Sequence, residues 1–236
     1  MNSRIAIVTG AGSGIGRALA LKLAADGWTC VLVGRTRSSL EETATTIDKR
    51  GFTAAHVHPA DLAEWEAASA VVSGVLDRHG RLDGVFHVAG SAVVVPLGDN
   101  TAKEFEAMFG VNCLGLASLL ASAWPHLIAS SHPAVVINVS SMAGSDPFPG
   151  FFAYGAAKAA SESLIRSAHN ERGHAPIRAF NIAPGAVETG MLRRLFDEAM
   201  LPRDQTLDPD EVADLIMACV AGEHDDRIGK TLSIVR

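Results

Sequence analysis

The chain has 236 residues, of which 48% are hydrophobic and 19% charged, and its formal net charge is −6. This composition predicts a globular protein with a buried core, and the acidic balance disfavours nucleic acid or an anionic membrane surface as a partner. Its three cysteines, Cys30, Cys113 and Cys219, are widely spaced in apolar surroundings, so we expect buried thiols in a reducing compartment, the cytoplasm.

The N-terminal nine residues contain only a short apolar run before a glycine-rich turn. We interpret this segment as neither a signal peptide nor an anchor. No apolar stretch approaches the roughly 20 residues that a membrane span requires. We therefore expect no contact with a membrane.

The first predicted strand, residues 5–8, leads into a glycine-rich turn and then a helix over residues 17–25. Glycines allow a tight turn, and free N–H groups at a helix start attract phosphate. The order strand, glycine turn, helix is the one that a dinucleotide site requires, although the glycines are not spaced as in the usual fingerprint. A purely structural turn is the alternative. The candidate cofactor residues are Gly10, Gly12, Ser13, Gly14, Ile15 and Gly16.

The second strand, residues 30–33, is followed by Gly34 and Arg35. An acid near the end of this strand receives the ribose hydroxyls of NAD, whereas an arginine accommodates the 2′-phosphate of NADP. No Asp or Glu occurs between Gly27 and Leu40, while Arg35 and Arg37 do. The sequence therefore favours NADP(H) over NAD(H), and a solvated loop arginine is the alternative.

Further helices and strands follow in alternation. Ser38, with Glu41 three residues on, predicts a capped helix to about residue 50, and residues 53–58 form the third strand. Asp61 either accepts a hydrogen bond from an adenine amino group or caps the helix over residues 64–79, and both options stay open. The fourth strand, residues 84–88, closes with Ala89-Gly90, where open parallel sheets bind ligands.

Thr101 and Glu104 form a predicted capping box, which opens a long helix that ends near Pro125. Asn112 lies in the middle of this helix, where an asparagine is mildly unfavourable. It is exposed, or it marks a local kink, or it supplies a polar group to the interior. The sequence favours the first two.

The fifth strand, residues 135–139, delivers Ser141 at its carboxyl end, and a helix begins after Pro149-Gly150. That helix places Tyr154 and Lys158 at i and i+4, so their side chains are neighbours. A nearby ammonium lowers the pKa of a phenol and fits it for proton exchange, and the Ser141 hydroxyl is suited to holding a substrate oxygen. Taken alone, the pair is better explained as an exposed lysine beside a half-buried tyrosine.

The sixth strand spans residues 177–182, Asp208 and Glu211 cap a helix to about residue 220, and residues 231–235 form a seventh strand. Seven strands alternating with helices predict one α/β domain over residues 1–236, a doubly wound Rossmann-type fold with a parallel sheet and helices on both faces. Right-handed crossovers place all the candidate residues at one edge. His56 and His58 share a strand face, but no third ligand follows at a zinc-site spacing, so we predict no metal site.

The chain resembles the short-chain dehydrogenase/reductase family over essentially its whole length. The resemblance is carried by Thr9-Gly-Ala-Gly-Ser-Gly-Ile-Gly16, Asn112, Ser141, Tyr154-Gly-Ala-Ala-Lys158 and Pro184-Gly185 in this order. It implies that Tyr154 exchanges the proton at a carbonyl or hydroxyl oxygen that Ser141 holds. Lys158 would lower the pKa of Tyr154 and bind the nicotinamide ribose, and Asn112 would hold a water that links Lys158 to solvent.

The same resemblance implies further cofactor contacts. Asp61 and Leu62 would lie on the adenine side, Ala89 and Gly90 at the middle, and Arg35 at the NADP phosphate. Val187 and Thr189 would fix the carboxamide of the nicotinamide, and Pro184 and Gly185 would also contact the cofactor. One departure is notable: the family usually has Asn-Asn-Ala-Gly after the fourth strand, where this chain has His87-Val88-Ala89-Gly90. The hydrogen bonds that those asparagines make are therefore not expected here.

The sequence thus predicts an NADP(H)-dependent oxidoreductase acting on a small carbonyl compound or alcohol, assembled as a homodimer or homotetramer. The alternatives are a non-catalytic NAD(P)-binding or sensing protein, and a hydrolase that uses Ser141. We expect an apolar substrate pocket, and the candidate lining residues are Val93, Val94, Val95, Phe148, Phe151, Phe152, Met191 and Leu192.

Overall fold

Seven parallel strands form one sheet in a computed structural model that describes residues 3–130 and 132–236. Their order is β3-β2-β1-β4-β5-β6-β7, so the chain reverses its direction of winding between β1 and β4. Ligands bind at such a switch point, beyond the carboxyl ends of the strands. The strands are β1 Ile5–Thr9, β2 Thr29–Gly34, β3 Ala55–Pro59, β4 Gly84–His87, β5 Ala134–Val139, β6 Ile177–Pro184 and β7 Thr231–Ile234.

Helices cover both faces of the sheet, as predicted. They are α1 Gly14–Ala25, α2 Arg37–Lys49, α3 Trp65–His79, α4 Ala102–Phe109, α5 Gly115–Ala129, α6 Phe152–Glu171, α7 Gly190–Leu195 and α8 Pro209–Ala221. One core cluster packs α1, α2 and α8 on the sheet through side chains such as Leu19 and Ile216, and a second packs α3, α5 and α6 through Val72 and Leu119. A sheet buried on both faces requires continuous apolar strands, which explains why the strands are readable in the sequence.

Two predicted capping boxes are confirmed. In each, at Thr101 with Glu104 and at Asp208 with Glu211, the glutamate carboxylate accepts from the backbone N–H of the capping residue. The box at Ser38 is wrong, because α2 already begins at Arg37 and its N-cap is Thr36.

The helix that was expected to end near Pro125 instead continues through it to Ala129. Leu127, beyond the proline, is fully buried in the second core cluster. Burial of this last turn therefore outweighs the break that proline usually imposes.

Asn112 is buried, so the expectation of an exposed side chain is wrong. It lies in a π-helical turn, Gly110–Leu114, that joins α4 to α5. The third alternative, a polar group supplied to the interior, is the one that the structure shows, although the sequence did not favour it. Such π-turns are rare and widen the helix by one residue.

Helices α4 and α5 and the π-turn between them form one helical run, Ala102–Ala129, of 28 residues. Contrary to the sequence-based expectation, this run is long and apolar enough to cross a membrane by length and composition alone. In its most apolar part 56% of the residues are buried within the protein, where α5 packs against α3 and α6. The core helix of a globular protein shows this same pattern.

Candidate active site

A cavity of about 1130 Å³ opens at the carboxyl ends of the strands and is lined by every residue predicted to take part in catalysis or cofactor binding. The sheet brings them together because parallel strands end at one edge. The predicted residues in the lining are Gly10, Gly12, Ser13, Gly14, Ile15, Gly16, Arg35, Asp61, Leu62, Ala89, Gly90, Asn112, Ser141, Tyr154, Lys158, Pro184, Gly185, Val187 and Thr189.

The glycine turn is closely packed on its own neighbours. Gly10 has φ of +67°, and a Cβ at Gly10 would lie 3.0 Å from the backbone of Ala89. A Cβ at Gly16 would lie 2.3 Å from the Gly10 carbonyl oxygen. Helix α1 begins at Gly14, and its N-cap Ser13 makes no side-chain capping bond. The turn is therefore needed for packing, and it also leaves the first N–H groups of α1 available to an anion.

Arg35 and Arg37 have different surroundings. Arg35 is exposed and lines the cavity, and within the described residues it pairs with no carboxylate. Arg37 lies outside the cavity, where its guanidinium is 3.6 Å from Glu41. Of these two arginines, Arg35 is the one that borders the cleft. At Asp61 the carboxylate accepts from the backbone N–H of Ala63 at 3.1 Å, ahead of α3, which has Glu64 as its N-cap.

His87 replaces the missing asparagine with a different set of hydrogen bonds. Its Nδ1 lies 3.3 Å from the Thr9 hydroxyl, and its Nε2 lies 3.1 Å from the Val111 carbonyl oxygen. The Thr9 oxygen already accepts from the backbone N–H groups of Val88 and Ala89, so its hydrogen points to Nδ1. Nε2 must then carry the proton that it donates to Val111. The imidazole thus ties the ends of β1 and β4 to the π-turn.

Asn112 projects from the π-turn into the floor of the cleft. Its Nδ2 donates to the carbonyls of Ser91 and Met108 at 2.8 and 2.9 Å, and its Oδ1 accepts from the Ser91 N–H at 3.3 Å. A Cβ at Gly90 would lie 2.7 Å from Asn112 Oδ1 and 3.4 Å from Lys158 Nζ. Gly90 therefore makes room for both polar groups. The Asn112 oxygen keeps one lone pair for a water.

Lys158 is buried beside Tyr154 on α6. Its Nζ donates to the Val139 carbonyl at 2.8 Å and lies 5.8 Å from the centroid of the Tyr154 ring. Burial lowers the pKa of Lys158 to about 8, and the charge of Glu162 acts in the opposite direction. The ammonium is thus held by the end of β5 and faces the phenol without bonding to it.

The pKa of Tyr154 differs in direction from the sequence-based expectation. Burial raises it above its ordinary value, and a hydrogen bond with Ser141 only partly offsets this. Lys158, whose Nζ donates to the Val139 carbonyl, does not offset the effect of burial. The phenol therefore keeps its proton at neutral pH.

Ser141 precedes a 3₁₀ turn, Met142–Gly144, and its hydroxyl accepts from the Ala143 N–H at 3.2 Å. This bond uses one lone pair of the oxygen, so the hydroxyl hydrogen, which interacts with Tyr154, can instead be donated to a bound substrate oxygen. Ser141 and Tyr154 both line the cavity, so a carbonyl oxygen placed there can meet two hydroxyl donors.

Half of the expected apolar lining is correct. Phe148, Phe151, Met191 and Leu192 line the cavity, whereas Val93, Val94, Val95 and Phe152 lie outside it. The Phe152 ring packs instead against Phe105, with ring centroids 5.4 Å apart. Further apolar residues that the sequence did not reveal line the cavity after the sixth strand, namely Leu195, Phe196, Met200 and Leu201, and also Val235.

Glu162 was also missed. It is 8% exposed, and its carboxylate accepts from the Ser140 hydroxyl at 2.7 Å. A usable signal was present, because Glu162 follows Lys158 by four residues on the same helix face.

The histidines of β3 do not form part of a metal site in the described structure. The ring of His56 lies 5.2 Å from that of His79, centroid to centroid. The part of the chain that the structure describes holds no group of three or more His, Cys, Asp or Glu side chains arranged for a metal ion.

Comparison with known proteins identifies the family. The model of the short chain dehydrogenase family matches residues 4–199. Sulfoacetaldehyde reductase 2 of Chromohalobacter salexigens is 32% identical over 223 residues, which cover 91% of this chain and 87% of that protein. An alcohol dehydrogenase from the archaeon Thermococcus sibiricus, complexed with 5-hydroxy-NADP, superposes with a TM-score of 0.88 at 27% identity, covering 99% of this chain and 97% of that one.

A 3-ketoacyl-(acyl-carrier-protein) reductase from Brucella melitensis, complexed with NADH, superposes with a TM-score of 0.89 at 26% identity. The match covers 98% of this chain and 96% of the Brucella chain. Both structural neighbours thus hold a nicotinamide dinucleotide, which is 5-hydroxy-NADP in the Thermococcus enzyme and NADH in the Brucella enzyme. The chain belongs to the short-chain dehydrogenase/reductase family and is an oxidoreductase that binds a nicotinamide dinucleotide and acts on a small molecule.

Proposed function

We propose that the protein is an NADP(H)-dependent carbonyl reductase in which Tyr154 gives the proton and residues 1–236 act as one domain. The observation that carries the proposal is the meeting of Tyr154, Ser141 and buried Lys158 in the cleft that the glycine turn also lines. The bound cofactor would supply a hydride to the carbonyl carbon. The remaining chemistry, at the carbonyl oxygen, falls to the side chains of this chain.

Tyr154 is suited to act as the general acid. Because burial raises its pKa, the phenol retains its proton at neutral pH and can donate it to the oxygen as negative charge develops there. The Ser141 hydroxyl would donate a second hydrogen bond to the same oxygen. Lys158, at 5.8 Å from the ring, would stabilise the phenolate that remains after the proton has left.

The cofactor would lie along the strand ends. The N–H groups of α1 and the glycine turn would receive its diphosphate, and Arg35 would pair with the 2′-phosphate of NADP. Asp61 and Leu62 would contact the adenine side and Ala89-Gly90 the middle. Val187 and Thr189 would fix the carboxamide of the nicotinamide, and Pro184 and Gly185 would also contact the cofactor. Asn112 would hold a water that links Lys158 to solvent.

The preference for NADP(H) is tested by direct binding of NADPH and NADH to the protein, followed by fluorescence. We expect NADPH to bind more tightly, and Arg35→Ala to weaken NADPH binding by roughly tenfold or more while NADH binding hardly changes. Arg37→Ala is the matched control, since that arginine lies outside the cavity beside Glu41. A wild-type protein without preference, or a preference that survives Arg35→Ala, contradicts the assignment.

The reaction is tested with a panel of aldehydes and ketones, monitored by loss of the absorbance of NADPH. The aromatic and aliphatic lining, Phe148, Phe151, Phe196, Met191 and Leu192, leads us to expect apolar carbonyl compounds to be the better substrates. Tyr154→Phe should abolish turnover while NADPH still binds. Normal turnover in that variant would refute the role of Tyr154, and NADPH binding without any turnover in the wild type would support a non-catalytic sensor instead.

We also propose a cytoplasmic homodimer or homotetramer. Apolar side chains stand exposed on the helical run and on α6, where Leu114 is 48% and Phe152 45% exposed. Such side chains are commonly covered by a second copy of the chain. Light scattering on the purified protein tests the assembly, and a monomer at micromolar concentration contradicts it.

A further inference from the structure

Glu162 is a nearly buried carboxylate on the helix that carries the tyrosine and the lysine. Tyr154, Lys158 and Glu162 follow one another at intervals of four residues in α6, so they share one face. Glu162 is 8% exposed and does not line the cavity. Removing a carboxylate from water costs free energy unless hydrogen bonds or charges compensate. The partners of Glu162 therefore indicate what it does.

The carboxylate joins three parts of the fold. It accepts from the Ser140 hydroxyl, directly after β5, at 2.7 Å, and from the Thr231 hydroxyl, at the start of β7, at 3.1 Å. The Arg166 guanidinium approaches it to 3.6 Å from the solvent side of α6. Glu162 thus connects the carboxyl end of β5 and the start of β7 to α6, the helix that carries Tyr154 and Lys158.

Side chains from two successive turns of α6 form hydrogen bonds with Val139 and Ser140, two consecutive residues at the carboxyl end of β5. Lys158 Nζ donates to the Val139 carbonyl at 2.8 Å, Glu162 accepts from the Ser140 hydroxyl, and Ser141 comes next. A Cβ at Gly144 would lie 3.2 Å from Glu162 Oε1, so the 3₁₀ turn after Ser141 also packs against this carboxylate. The position of the Ser141 hydroxyl therefore depends on Glu162.

Glu162 also supplies the negative charge that Lys158 needs. The titratable groups around Lys158 are Tyr154 and Glu162 on α6 and His87 at the end of β4. His87 is neutral, because burial and the Lys158 charge lower its pKa to about 3, and Tyr154 keeps its proton. Only Glu162 opposes the effect of burial, which lowers the pKa of Lys158 to about 8. Without Glu162 the pKa of Lys158 would fall further below its ordinary value.

We propose that Glu162 is a positioning residue, which keeps Lys158 charged over the working pH range and fixes Ser140 so that Ser141 presents its hydroxyl to the substrate. The inference rests on the proposed function, because it assigns a task to Glu162 through Lys158 and Ser141. Glu162 touches neither substrate nor cofactor.

The charge effect is measured in the cofactor-free protein by NMR titration of lysine ¹³Cε signals. The chain has only five lysines, and the Lys158 signal is assigned by its loss in Lys158→Arg. We expect Lys158 to titrate near pH 8 in the wild type, and about one pH unit lower in Glu162→Gln, which keeps the shape and removes the charge. Glu171→Gln, an exposed change on the same helix, is the matched control and should leave the midpoint in place.

A second variant keeps the test valid if Glu162→Gln does not fold. Arg166→Gln removes the partly exposed cation beside Glu162 and leaves the carboxylate in place. The Lys158 midpoint should then move upward, because a positive charge has been lost and the negative charge is less compensated. An unchanged or lowered midpoint in Arg166→Gln overturns the charge effect, as does an unchanged midpoint in folded Glu162→Gln.

Steady-state kinetics distinguish the effect of Glu162 on the charge of Lys158 from its effect on the position of Ser141. In Glu162→Gln the loss of kcat/KM at alkaline pH should begin at lower pH, with roughly a fivefold deficit at pH 8 for a shift of one pH unit and roughly tenfold at higher pH. Ser140→Ala keeps the charge and removes the hydrogen bond, so kcat should fall at every pH without movement of the alkaline limb. A normal kcat in Ser140→Ala overturns the positioning part. If Glu162→Gln is less stable but keeps the wild-type Lys158 titration midpoint and the wild-type alkaline limb of kcat/KM, Glu162 has only a structural role and the proposal is overturned.

Failure of the proposed function is recognised separately. If the wild type reduces no carbonyl compound, or if Tyr154→Phe is fully active, the proposed reaction is refuted, while the Lys158 midpoint still decides whether Glu162 holds the ammonium in its charged form. If the wild type is active and Tyr154→Phe is not, an unchanged midpoint in Glu162→Gln refutes the inference alone.

Discussion

His87 makes the stability of this protein depend on pH in a way that its surroundings predict. The imidazole is fully buried between Thr9 and Val111. Burial, and secondly the charge of Lys158, lower its pKa from 6.5 to about 3. In the unfolded chain the same side chain returns to its ordinary pKa, so between these two values the unfolded state binds a proton that the folded state excludes.

The difference between the folded and unfolded pKa values sets the sign and the size of the His87 contribution to the free energy of unfolding. The contribution of His87 is fully present above pH 6.5 and is lost as the pH falls towards 3. The difference between the two pKa values corresponds in total to about 5 kcal/mol of unfolding free energy. Lowering the pH from 7 to 5 covers the first part of this range and should cost about 2 kcal/mol.

Urea unfolding of the cofactor-free protein at pH 7 and at pH 5 measures the effect. The wild type should lose about 2 kcal/mol more between these pH values than His87→Asn, which cannot take up the proton. The exposed His174→Asn is the matched control and should follow the wild type. If the wild type and His87→Asn lose equal free energy, the imidazole is not held neutral by burial and the reasoning is refuted.

Two further predictions concern the frame around the site. Gly16→Val should abolish detectable NADPH binding, measured by fluorescence titration, because a Cβ there would lie 2.3 Å from the Gly10 carbonyl oxygen; binding within a few-fold of wild type contradicts the packing argument. Arg81→Met should lower the unfolding free energy by roughly 3 kcal/mol in urea, because it leaves buried Asp83 without the guanidinium that contacts it at 2.6 Å. A loss below about 1 kcal/mol would show that the pair behaves as an exposed one.

The order of the elements could be predicted because each strand carries its own signal. β5, for example, is apolar at every position except Asn138 and is buried throughout, as a parallel strand between two helical layers must be. The capping boxes at Thr101 and Asp208 were also readable, since a box satisfies backbone donors within four residues of itself. At Ser38 several polar residues compete as caps, and α2 begins at Arg37 although its N-cap Thr36 makes no side-chain capping bond.

The parts that could not be predicted depend on contacts between distant segments. Asn112 is buried because Ser91, some twenty residues earlier, supplies both a donor and an acceptor to its amide. The partner of Glu162 at Ser140 comes from a different strand, so no local pattern announces it. For the same reason the sequence could not separate Phe151, which lines the cleft, from Phe152, which points towards α4.

The direction of the Tyr154 pKa changes how the tyrosine and the lysine act together. A lysine that lowered the pKa of Tyr154 strongly at rest would leave a phenolate, which has no proton to give to a carbonyl oxygen. In this structure Lys158 donates to Val139 while the phenol stays protonated, so little attraction between them is realised before reaction. On the proposed mechanism, their attraction grows only as the proton leaves Tyr154 and negative charge appears on its oxygen. An interaction that strengthens along the reaction lowers the barrier, whereas one already complete at rest does not.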